Sequence, residues 1–312
     1  MKNVFNSTAE ALSEFLRDLG YIAKNISDAL RDVYSSTAEQ VAEILDALGY
    51  ASDEIADAIK RSFQATAEEV ASILRDMGRI VIEVSKILRD IFSTTANTAA
   101  QILKNIGYTM TQIGQGLRDT FNKSISGASD ILKSIGASIS EISNMMKSVF
   151  SGESMKTITN TLAQLGYSTK DIANQLKNTF GQSAKNAASY LRSAGRKAYE
   201  VGQSMSTIFR QTAEQVAKIM NLVGFTAEET GDVLYNWFKE GSEEAGKWLK
   251  NAGFTAGDIA KTLRKGAFWD KGSKATGKIL KKAGFGKSTT KSALRYAGWS
   301  KSTVNDVIND IF

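Results

Sequence analysis

The 312-residue chain contains no proline, no cysteine and no histidine. Without cysteine there is neither a disulfide framework nor a thiolate metal site. Without histidine as well, the commonest general base, nucleophile and zinc ligands are missing. The remaining carboxylates fall mostly in first helical turns or on polar faces. Glu39, Glu68 and Glu214 occupy equivalent positions there, and the positive end of the helix dipole accounts for them. These absences point away from an enzyme, and no cofactor, metal or catalytic residue is expected. About 16 prolines would be usual at this length; helices joined through glycine corners can do without them. No apolar run reaches the ~18 residues of a membrane span, and no basic-then-apolar leader opens the chain. The sequence therefore carries no readable address.

What is present is a repeat. Thr37–Phe63 reads TAEQVAEILDALGYASDEIADAIKRSF. Thr37 and Gln40 have the chemistry and spacing of a capping box. Val41, Ile44, Leu45 and Leu48 form one apolar stripe of period 3.6. Gly49 follows, where a left-handed residue ends a helix, and Tyr50 is placed to fold back on the last turn. Ser52 is expected to cap a second helix striped by Ile55, Ala56, Ile59 and Phe63. Each helix should run about 12 residues, too short to persist in water without packing.

The marker glycine recurs at Gly20, Gly49, Gly78, Gly107, Gly136, Gly166, Gly195, Gly224, Gly253 and Gly284. A closing aromatic keeps step at Phe5, Tyr34, Phe63, Phe92, Phe121, Phe150, Phe180, Phe209, Phe238 and Phe268. Two marker series with one period of 29–30 residues predict an all-α, elongated α-solenoid of about ten two-helix repeats. Residues 1–268 form the array. Residues 269–312 hold the last repeat with an extra half-unit, after Gly298-Trp299, that acts as a C-terminal cap. One continuous domain is expected.

The residue after the marker glycine is usually aromatic, but Arg79, Ala137 and Arg196 break the rule, and their corners are expected to be looser or remodelled. Gly284-Phe-Gly286-Lys287-Ser288-Thr289 imitates a phosphate loop. It lacks the first glycine, since Lys281 stands there, and a helix rather than a strand precedes it. Gly284 then reads as a corner and Ser288 or Thr289 as a cap. The methionines, Met145-Met146 foremost, read as core filler.

Leu162-Ala-Gln-Leu165-Gly166-Tyr167-Ser168-Thr169-Lys170-Asp171-Ile172 resembles the leucine–glycine–aromatic–serine corner of mitochondrial transcription termination factor repeats, as do most other units, including Leu249–Ile259. That family's repeats are helical units of about 30 residues that characteristically carry proline, which this chain lacks. The resemblance implies a helical array that binds nucleic acid.

Charge is polarised. Residues 1–150 hold 15 basic and 19 acidic residues, whereas residues 239–301 hold 15 basic and 5 acidic. Trp237, Trp248, Trp269 and Trp299 fall in or beside the basic segment. The leading expectation is a non-enzymatic scaffold that binds a macromolecule, foremost a protein, along an extended repeat surface. A second is binding of nucleic acid or another polyanion by Lys247, Lys250, Lys261, Arg264, Lys265, Lys274, Lys278, Lys281, Lys282, Lys287, Lys291 and Arg295, with tryptophans free to stack on bases. A third is association of the same end with an anionic membrane surface. Exposed array ends also allow self-association.

Overall fold

The computed structural model describes residues 2–265 and 269–312, with side chains from residue 8 onward. Among the described residues every regular element is a helix and no strand occurs. Contacts divide the chain into two compact units, Met1–Gly152 and Glu153–Phe312. The first holds α1 (Lys2–Asp18), α2 (Ala23–Tyr34), α3 (Ala38–Ala47), α4 (Ser52–Phe63), α5 (Ala67–Asp76), α6 (Val81–Asp90), α7 (Ala96–Asn105), α8 (Met110–Asp119), α9 (Ile125–Ser134) and α10 (Ile139–Val149). The second holds α11 (Met155–Gln164), α12 (Thr169–Asn178), α13 (Ala184–Ser193), α14 (Ala198–Thr207), α15 (Ala213–Leu222), α16 (Ala227–Asn236), α17 (Ser242–Asn251), α18 (Ala256–Lys265), α19 (Ser273–Lys282), α20 (Lys287–Tyr296) and α21 (Lys301–Ile311).

Each unit is a helical-repeat array of the solenoid kind. Every helix packs on its sequence neighbour, and helices two apart pack in rows. In the first unit α2, α4, α6, α8 and α10 form one row, and α5, α7 and α9 the other. In the second unit both rows are continuous, from α11 to α21 and from α12 to α20. Among the described residues helices pack mainly on those one or two places along the chain, so the core runs from neighbour to neighbour.

The Thr37 repeat shows why the pattern folds. Thr37 accepts from the Gln40 amide, and Gln40 Oε1 accepts from the Thr37 amide at 3.0 Å, closing the expected capping box. Val41 and Leu45 are fully buried, and Ile44 and Leu48 half-buried. Gly49 adopts φ +83°, its N–H donates to Asp46 O, and the Tyr50 N–H donates to Leu45 O. Those two bonds satisfy carbonyls that the helix end would otherwise orphan. Ser52, however, does not cap α4. Ala51 is the N-cap, and the Glu54 carboxylate accepts its N–H at 2.9 Å while Ser52 is buried one residue inside.

Most helices are 10 residues long rather than 12, because corner and cap together use more of the period. The corners at Arg79, Ala137 and Arg196 are not remodelled. Gly78, Gly136 and Gly195 keep positive φ, and the three residues after them donate to Leu74, Leu132 and Leu191 like any other corner. Met145, Met146, Met205 and Met220 are fully buried, as core filler should be, whereas Met77, Met110 and Met155 are half-buried. Phe268 and the side chain of Phe5 lie outside the described residues. The other closing aromatics are partly buried, and the next residue is often left-handed without being glycine: Ser35, Gln64, Ser93, Asn122, Arg210 and Lys239. At the C-terminal end α21 packs on both α19 and α20, burying Val304, Val307, Ile308 and Ile311.

Candidate macromolecule-binding surfaces

The ninth residue of a helix recurs as a bridge to the helix two positions on. Arg31 donates to Ser62 O, Lys60 to Ile91 O at 2.6 Å, Arg89 to Thr120 O and Arg118 to Val149 O. Lys177 reaches Ile208 O at 2.5 Å and Asn221 reaches Ala252 O at 2.7 Å. Each donor thus meets the negative carbonyl end of a neighbouring helix, where a cation contributes about 0.3–1 kcal/mol. The sequence signal was available, as basic residues spaced 29 apart at 31, 60, 89 and 118, but it is masked by the general abundance of surface lysine and arginine.

The same bridge absorbs part of the basic segment. Lys250 donates to Gly284 O at 3.0 Å and lies over the Phe285 ring. Arg264 reaches Ala297 O and stacks on Trp299 at 4.7 Å, and Lys281 reaches Ile311 O beside Phe312. Lys282 pairs with Glu243 at 2.7 Å, and Lys274 with Asp310 at 2.9 Å. Lys261 sits 4.0 Å from the Tyr296 ring centroid and Lys247 5.1 Å from that of Trp248. Lys278 acts on Asp310 through its field, helping to hold that carboxyl below its ordinary range after the direct bond from Lys274.

Four of the twelve remain: Lys265, Lys287, Lys291 and Arg295 are exposed and have no partner among the described residues. Three lie on α20 at successive turns, so they form one stripe. Neither α19 nor α20 contains an acidic residue. Lys287 occupies the first turn of α20, where a cation opposes the helix dipole; helix stability gives no reason for it.

The tryptophans are built into the packing. Trp269 is buried and meets Tyr235 edge-on, with centroids 5.8 Å apart. Trp248 and Trp299 are partly buried against the core, and Trp237 is half-buried at the end of α16. The face of Trp299 is covered by Arg264. Stacking by exposed indoles is thus not a feature of this surface. The Gly284–Thr289 stretch joins α19 to α20. Gly286 is the N-cap and makes no side-chain bond, so neither Ser288 nor Thr289 caps the helix.

Several carboxylates titrate below their usual range, each through a local contact. Asp28 is held down first by the Lys24 ammonium, Glu69 and Glu141 by the backbone N–H of their capping partners Thr66 and Ser138, and Glu214 by Lys218. Burial pushes the Tyr50, Tyr108 and Tyr167 phenols up. No cluster of carboxylates is arranged to hold a metal ion, and no helix is long and apolar enough to cross a membrane, among the described residues. No protein-family model and no curated protein matches the sequence, so the resemblance stands on the repeated corner motif alone.

Proposed function

We propose that the chain is a non-enzymatic repeat scaffold whose partner is a protein. The observation that carries this reading is the bridged, two-row stacking of short helices in each unit, which holds side chains in register across successive repeats. Rigid rows of this kind give a partner an extended surface with little ordering cost. The test is capture of partners by the full chain from nuclease-treated lysate, followed by reconstitution with purified components. A protein that binds directly and saturably supports the reading. Recovery of nucleic acid alone from untreated lysate would remove it.

A second reading, polyanion binding, is favoured by the unpartnered Lys265, Lys287, Lys291 and Arg295 on helices poor in acid. Oligonucleotide affinity measured against salt should then fall with a log–log slope of about −0.9 per phosphate neutralised, or about −3.6 for all four. Affinity indifferent to salt would eliminate it.

A further inference from the structure

In the first unit one row is closed from α2 to α10, and the other is closed from α5 to α9, but α1, α3 and α5 have little direct packing between them. Two cavities open where those three helices stand apart. One, of about 310 Å³ between α1 and α3, is walled by Glu10, Glu14 and Glu43. The other, of about 360 Å³ between α3 and α5, is walled by Glu39, Glu43, Asp46 and Asp76. They adjoin, because Glu43 and Ala47 line both.

No lysine or arginine lines either cavity. Asp46 is answered from the corner by Arg79, and Asp76 weakly by Arg75 at 3.8 Å. Glu10, Glu14, Glu39 and Glu43 are exposed and have no partner among the described residues. The floor between them is apolar: Ala47 is exposed, and Ile44, Leu48 and Met77 are half-exposed. α3 itself carries three carboxylates and no cation, so its own sequence offers nothing to neutralise the groove.

We propose that this double groove docks a cationic amphipathic segment of a partner protein. Its aliphatic side chains would cover the Ile44–Leu48–Met77 floor and supply the affinity. Its lysines or arginines would meet the carboxylate walls, which steer the encounter and fix orientation. The carboxylates are spread along two cavities, which suits a row of cations on a chain better than a single ion. This inference deepens the scaffold reading by assigning one docking surface and the chemistry of what it takes.

The experiment is fluorescence anisotropy of a labelled helical leucine–lysine peptide titrated with the full chain at physiological ionic strength. Saturable binding is expected. Glu14→Gln/Glu39→Gln/Glu43→Gln should weaken it about tenfold, and a control that removes as many charges from the other row, Asp32→Asn/Asp53→Asn/Asp90→Asn, less than about twofold. Ala47→Arg, at an exposed position shared by both cavities, should abolish binding while the thermal melt followed by circular dichroism is unchanged. Equal loss in groove and control variants would overturn the proposal, as would full displacement by spermine at matched charge or no saturable binding. Self-association that Ala47→Arg abolishes in sedimentation velocity would overturn it too, by giving the groove to a second copy of the chain. Because the readout is local to α1, α3 and α5, a negative result leaves the general scaffold reading to its own partner-capture test.

Discussion

Arg79 donates its guanidinium to the Asp46 carboxylate across 33 residues, which reverses the usual chemistry at that junction. At other junctions the ninth helix residue is often a cation and the corner it faces supplies an aromatic ring, as with Arg192 and Phe225 at 5.4 Å. Here the ninth residue of α3 is the acid and the corner supplies the cation. Arg196 makes a related substitution: the ninth residue of α11 is Ala163, and Arg196 donates to the carbonyls of Ala163 and Tyr167, the latter at 2.9 Å. Two of the three irregular corners are therefore compensated exchanges within the fold.

The Asp46–Arg79 pair should behave as a coupled unit. Asp46→Arg alone places two guanidiniums together and should lower stability by about 1 kcal/mol, whereas Asp46→Arg/Arg79→Tyr restores the common arrangement and should recover it. Urea denaturation of the four members of the cycle measures the coupling. Additive effects would show that the two residues act independently.

Helix-interior glycines mark where neighbouring helices of one row approach closely. A Cβ on Gly202 would lie 2.6 and 2.8 Å from the two γ-carbons of Val233, which have no freedom to withdraw. Gly202→Ala should therefore destabilise by about 1–3 kcal/mol despite the better helix propensity of alanine. Adding Val233→Ala should relieve the clash at the cost of a smaller core, so the double variant is expected to gain back part of the loss in thermal melts.

The left-handed residues after the closing aromatics predict a gain. Gln64 and Ser93 hold φ of 54° and 53° without being glycine. Neither side chain makes a compensating bond among the described residues, so replacing either by glycine removes the Cβ strain and should raise stability by about 0.5–1 kcal/mol in urea denaturation. Gly181 already occupies this position in its own repeat, with φ 66°.

Acid should weaken the array from below about pH 4. The shifted carboxyls, Asp28, Asp32, Glu69, Asp90, Glu141, Glu214 and Asp310, all have folded values below their unfolded ones. The unfolded chain therefore takes up more protons, so their contribution is complete above the unfolded values and is lost as pH falls through the folded ones. Urea midpoints across the acid range check this. Glu69→Gln/Glu141→Gln should keep the cap bonds, as Gln40 does, while flattening the pH dependence.

The architecture was legible because glycine holds positive φ at the same helix end in every repeat, and Gly49 and its equivalents announce the period; the left-handed ends at Ser35, Gln64 and Ser93 carry no such mark. The capping box was legible at Thr37 for the same reason of fixed spacing. It was misread at Ser52, where Glu54 reaches the Ala51 N–H and makes a hydroxyl cap unnecessary. The bridging role of Lys250, Arg264 and Lys281 was hidden because a lysine on a polar helix face looks alike whether it meets a carbonyl, a ring or solvent. The groove was hidden for a geometric reason. Glu14, Glu43 and Asp76 are far apart in the chain, and only the spreading of α1, α3 and α5 sets them along one opening.

The junction bridges make the repeats directional neighbours rather than exchangeable parts. Duplicating residues 37–65 in tandem would set the first copy of Asp46 against a tyrosine corner and leave it without its guanidinium, while only the second copy would still face Arg79. Gain or loss of a repeat by recombination would thus leave a mismatch at the seam unless a corner changed with it. The unit of inheritance in such a chain is the junction between repeats.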